Sequence, residues 1–145
     1  MNHFVHLLLR FAGSLSTKPP SDDDLRWVAE VLTDAEIELW GRHQPEDLRH
    51  TVRVARRFVE FRPEASRDEI AGALLHDIGK VAADVGSVAR AVATVLRTGT
   101  PAMRRYLDHE ALGAEMLRQR GVSDVTCRLV QGRGPAGLTL RRADY

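Results

Sequence analysis

Leu74-Leu75-His76-Asp77-Ile78-Gly79-Lys80 ends an apolar run with an imidazole and a carboxylate side by side. A carboxylate at the end of a core-forming segment is costly to bury alone, so it pairs or binds a cation. His76 and Asp77 therefore offer a nitrogen and an oxygen ligand to one point in space. What lies on either side of this stretch decides the fold and the ligand set.

Just upstream, Ser66-Arg67-Asp68-Glu69 matches a capping box, in which hydroxyl and carboxylate satisfy reciprocal backbone amides. It opens a helix expected to carry Ile70, Ala71, Leu74 and Leu75 into His76-Asp77, with Gly79 as terminator. Earlier, Pro45 suits the first turn of a helix, where its missing N–H has no partner to lose. That helix reaches Phe61 before Pro63, with Val52, Ala55, Phe58 and Val59 as its apolar stripe and His50 close to the stripe. Nearer the N-terminus, Phe4 to Leu15 reads as a helix, Ser21 caps a second, and Thr33-Asp34-Ala35-Glu36 opens a third through Trp40.

Downstream, helices are expected over Val85 to Leu96 and from Thr100-Pro101 to Arg120. Another runs from Ser123 through Val130, then a Gly132 to Gly137 loop, then a helical turn or two over Leu138 to Tyr145. No segment alternates at strand length, so the chain reads as all-α, a compact bundle of about seven to eight helices.

The 145 residues suit one domain, with helices in 1–44 packing on a core formed by 45–145. A net charge of +1 gives no electrostatic case for nucleic acid or a membrane surface. Cys127 is the single cysteine, so neither an internal disulfide nor a cysteine zinc cluster can form, which fits a reducing cytoplasm. The mildly apolar N-terminus has no basic leader and is interrupted by Arg10, so no signal peptide is expected. No apolar run has the length of a membrane span. Cys127, Trp27 and Trp40 are expected to pack internally, and His43 to sit in the loop before Pro45.

His50 on one helix, His76-Asp77 on the next and Asp144 near the end form a His, His-Asp, Asp series on a helical background. This series resembles the HD-domain superfamily of metal-dependent phosphohydrolases, over roughly Pro45 to the C-terminus. Leu74 to Lys80 is similar to the HDIG form of that motif. Asp108-His109-Glu110-Ala111-Leu112-Gly113 is similar to a family segment in which Gly follows His by four residues. The resemblance implies His50, His76, Asp77 and Asp144 as ligands of a divalent ion. Two imidazoles and two carboxylates suit Mn, Fe, Co, Ni, Zn or Mg without choosing among them. An ion so held polarises a phosphoryl oxygen and acidifies water, and Asp77 is placed to accept the proton. Lys80 could put its charge on the transferring phosphoryl group.

Two-metal members of the family carry further histidines. His109 fits the first, but where another is expected after Leu129-Val130 the chain reads Gln131-Gly132-Arg133. One metal is therefore expected, with Arg133 supplying charge to a phosphate in place of a second ion. The Gly-Tyr-Pro signature of cyclic-dinucleotide phosphodiesterases is missing. If Asp144 does not ligate, Asp84 and Asp108 are the next carboxylates. Arg53, one turn after His50, faces either substrate or solvent, and His109 either substrate or solvent.

The expected activity is hydrolysis of a phosphate ester of a nucleotide or other small phosphorylated metabolite. Asp77 and Lys80 would be its catalytic groups, and Arg53, Lys80, His109 and Arg133 its substrate contacts. The rival readings are a metal- or nucleotide-binding regulatory module without turnover, and oxidative chemistry at a two-iron site. A homodimer is compatible with the sequence.

Overall fold

In a computed structural model, the structure describes residues 19–82 and 109–145, apart from the side chains of 80, 82 and 109–111. The described elements are α1 (Asp22–Val31), α2 (Asp34–Trp40), α3 (Pro45–Phe61), α4 (Arg67–Leu74), α5 (Gly79–Ala82), α6 (His109–Gln119), α7 (Asp124–Val130) and α8 (Gly134–Asp144). All are helical, as expected. The expected helices over Phe4 to Leu15 and Val85 to Leu96, and the start at Thr100-Pro101, lie outside the described residues.

The helices begin where side-chain oxygens meet orphan amides. Ser21 accepts from Asp24 N–H, Ser123 accepts from Thr126 N–H, and both expected capping boxes form at Thr33–Glu36 and Ser66–Glu69. Glu36 carries a second load. It is almost fully buried, and its carboxylate accepts from Arg67, 2.7 Å away. Arg67 also donates to the Val31 carbonyl, tying the ends of α1, α2 and α4 together. A buried carboxylate held this way avoids the penalty of an unpaired charge.

α3 organises the core. Leu48, Val52, Ala55 and Phe58 recur at helical spacing and are buried, with Thr51 and Val54 beside them. Trp40 is fully buried, and its indole N–H donates to Thr51 Oγ1, which donates to the Leu48 carbonyl. α4 lies against α7 at Gly72, where a Cβ would come within 2.9 Å of Leu129. The Thr126 hydroxyl donates to the Asp68 carbonyl across the same contact. Cys127 is buried, as expected.

Two boundaries differ from expectation. α4 stops at Leu74, residues 75–78 form turns, and Gly79 opens α5 instead of ending α4. His76 makes the break: its Nδ1 lies 2.7 Å from the Ala73 carbonyl and donates to it, occupying an acceptor at the helix end. At the C-terminus, α8 starts at Gly134, four residues before the expected Leu138. Pro135 sits in its first turn, and Gly132 closes the preceding bend at φ +69°. Gly137 packs onto Gly132 so closely that a Cβ would lie 2.3 Å from the Gly132 carbonyl oxygen. That early start gives α8 the length to carry Asp144 back to α3.

Candidate metal centre

Three segments distant in sequence meet at one point. His50 comes from the middle of α3, His76 and Asp77 from the turn after α4, and Asp144 from the last residue of α8. His50 Nε2 lies 2.9 Å from Asp144 Oδ1, and His76 Nε2 lies 3.6 Å from the same oxygen. The two imidazole centroids are 5.8 Å apart. The ligand atoms of His50, His76 and Asp144 all lie within 4.8 Å of one another. Asp77 borders the group, with carboxylate oxygens 3.5 Å from His76 Nε2 and 3.9 Å from His50 Nε2.

The chemistry of this donor set fits a divalent ion. Because His76 Nδ1 donates to the Ala73 carbonyl, Nε2 of the neutral ring carries the lone pair. The side chain is only 8% exposed, and Nε2 is buried with no hydrogen-bond partner among the described residues. A buried ring nitrogen without a hydrogen bond, beside a second imidazole and a carboxylate, suits a cation. The site is also open on one side, with Asp144 43% and His50 32% exposed, leaving room for water or a substrate oxygen.

The charges are coupled. The His76 imidazole beside Asp144 holds its carboxyl at about 2, with His50 adding to the effect and burial opposing it. Burial pushes the His76 imidazole down, but Asp144, Asp77 and the Ala73 carbonyl outweigh it, and its pKa is raised. Without a cation, the carboxylates thus favour a proton on His76, and an ion binding there would displace it.

The remaining site candidates are distributed differently. Arg53 is exposed on α3 and lines a groove with Asp24, Arg49 and Arg56, to which none of the three clustered ligands contributes. Arg133 is not brought to the cluster. It precedes α8, roughly 16 Å of helix axis from Asp144, and lines a separate cavity with Arg62, Glu69 and Arg128. The expectation that it stands in for a second ion is corrected accordingly; the early start of α8 is the reason. Lys80 lies in α5 and His109 begins α6, but their side chains are outside the described residues, as are Asp84 and Asp108.

One residue of the site's surroundings is not anticipated by its sequence context. His43, expected in a loop, does precede α3 but is only 3% exposed. Its Nδ1 lies 2.8 Å from the Trp40 carbonyl, and its Nε2 is buried with no hydrogen-bond partner among the described residues. Burial lowers its pKa, against the opposing pull of the Trp40 carbonyl, Asp77 and Asp47. His43 therefore packs as a neutral ring behind the turn that presents Asp77. No local pattern marks it, because its burial depends on how α2, α3 and the His76-Asp77 turn converge.

Among the described residues no helix is long and apolar enough to cross a membrane. The HD domain family matches residues 47–134, which include His50, His76 and Asp77 and stop ten residues short of Asp144. No curated protein and no solved structure matches the chain. The match covers more than half of the sequence, and the protein belongs to the HD-domain family, a superfamily of metal-dependent hydrolases.

Proposed function

We propose that the protein is a phosphohydrolase that uses one divalent ion, held by His50, His76, Asp77 and Asp144, to cleave a phosphate ester of a nucleotide or other small phosphorylated metabolite. The observation that carries this reading is the buried Nε2 of His76, without a hydrogen bond among the described residues, grouped with His50 and Asp144 in an HD-domain chain. When bound, a divalent ion would supply Lewis acidity to a phosphoryl oxygen and lower the pKa of water.

The chain's own groups would do the rest. The Ala73 carbonyl fixes the His76 tautomer, and the α4–α7 contact holds the turn that carries it. Asp77, with carboxylate oxygens within 4 Å of both imidazole Nε2 atoms, would accept the proton of the attacking water. Lys80, three residues on, would place its ammonium on the phosphoryl group as charge develops. Arg53 and His109 would hold the substrate.

One observation favours a second reading, a metal- or nucleotide-binding module without turnover. After α7 the chain presents Gln131, Gly132 and Arg133 where two-metal relatives present histidine, and Arg133 points its charge elsewhere. Phosphate release from a panel of nucleotides by manganese-loaded protein separates the two. Release that falls at least about 100-fold in Asp77→Asn supports hydrolysis, in line with the loss of a general base. Metal and nucleotide binding without release across the panel supports the second reading.

A further inference from the structure

The outward side of α3 carries Arg49, Arg53, Arg56 and Arg57, which line a groove of about 720 Å³. Two of the four are committed within the fold. Arg56 donates twice to Asp24 Oδ1, at 2.8 and 3.0 Å, and lies 4.5 Å over the Trp27 ring. Arg57 lies 6.0 Å over Phe61. Arg49 and Arg53 differ: both are exposed, and neither pairs with another described side chain. Glu46 also lines the groove and stands three residues before Arg49, a spacing that allows an ion pair, yet none forms. Glu60, at the other end of α3, pairs with neither.

These two guanidinium groups, without an ion pair among the described residues, stand on the same helix as His50 of the candidate metal centre. Arg53 follows His50 by three residues, so their Cβ atoms are neighbours about 5–6 Å apart on the helix surface, and Arg49 stands one turn before Arg53 on the same strip of α3. A ligand whose reacting phosphate sits at His50, His76 and Asp144 would have the Arg49–Arg53 edge within reach of its remainder. Guanidinium favours phosphate and other planar or tetrahedral oxyanions through paired N–H donors.

We infer that the ligand of this site carries two separated anionic groups, one at the His50–His76–Asp144 cluster and a second held by Arg49 and Arg53 in the α3 groove. The inference rests on the proposed phosphohydrolase reading for the first group only. It narrows the substrate class from phosphate esters in general to compounds with a second phosphate or carboxylate a few bonds from the first.

The test compares two non-hydrolysable probes, butylphosphonate and butane-1,4-bisphosphonate, by calorimetric titration of the full-length, manganese-loaded protein. The bisphosphonate is expected to bind at least about tenfold more tightly, and Arg49→Gln/Arg53→Gln is expected to bring the ratio within about twofold of one. Arg128→Gln, an exposed charge on another surface, is expected to keep the ratio. The single variants Arg49→Gln and Arg53→Gln give the same answer in smaller steps. Equal affinities in the unaltered protein, a ratio unchanged in the double variant, or an equal loss in Arg128→Gln would overturn the inference. A retained ratio with no hydrolysis of any ester would leave the groove standing and remove the phosphohydrolase reading. Hydrolysis with equal probe affinities would do the reverse.

Discussion

At the scale of single residues, imidazoles at helix ends hold this molecule's key turns. His76 takes the Ala73 carbonyl with one nitrogen and leaves the other for the cluster; His43 takes the Trp40 carbonyl and fills space behind Asp77. Replacing His43 with Ala would leave a cavity and remove the ring's hydrogen bond to the Trp40 carbonyl, which keeps only that of the residue 43 backbone N–H. Urea denaturation is expected to show a loss of about 2–4 kcal/mol. A change below about 0.5 kcal/mol would mean the site collapses freely. A second residue-scale test concerns pH. The Arg62 guanidinium, 3.0 Å away, holds the Glu69 carboxyl below its ordinary value, with the Ser66 amide assisting and burial opposing. A depressed folded-state pKa stabilises above the unfolded value, near 4.3, and that stabilisation is lost as pH falls through the folded value. Glu69→Gln should therefore be less stable than the unaltered chain at pH 7 and approach it below about pH 4. A difference that persists undiminished at pH 3 would contradict the assignment.

At the scale of elements, two glycines let helices approach closely enough to bring the candidate ligands together. A Cβ on Gly137 would lie 2.3 Å from a backbone oxygen of Gly132, and one on Gly113 would lie 2.9 Å from Ile78 and 3.0 Å from the Gly79 nitrogen. Gly137→Ala must therefore shift the start of α8, at a cost of about 1–3 kcal/mol. Because α8 carries Asp144 at its far end, metal affinity measured by titration is also expected to fall, although residue 137 is not a ligand. Unchanged affinity would mean that Asp144 is positioned independently of α8. The same elements show what could be read from sequence. Helix starts were legible at Ser21, Thr33, Pro45, Ser66 and Ser123, since a cap or an N-terminal proline acts through residues three or four apart. The end of α4 and the start of α8 were not, because each is set by a contact outside that range: the His76 ring on its own helix end, and Gly137 against Gly132. The placement of Arg133 was missed for the same reason.

At the scale of the whole molecule, α3, the turn after α4 and α8 are separate in sequence and meet only when the core closes. His50, His76, Asp77 and Asp144 were legible as a set because their order along the chain resembles a family pattern; their spacing in space, and the burial of His43, depend on packing that no local window contains. A cation site assembled from three elements would also link metal to stability. An ion that binds only the folded chain raises unfolding free energy by about 2.7 kcal/mol at 100 times its dissociation constant. Thermal unfolding should therefore move to higher temperature with added manganese in the unaltered protein and stay fixed in His76→Ala. The most direct measurement is the number of divalent ions bound per chain, by mass spectrometry of the metals after loading and gel filtration, for the unaltered protein, His76→Ala and Asp144→Ala. The expected result is one ion per chain, lost in both variants. No ion retained by the unaltered chain, or an ion retained by His76→Ala, would contradict the assignment of this cluster as the metal centre.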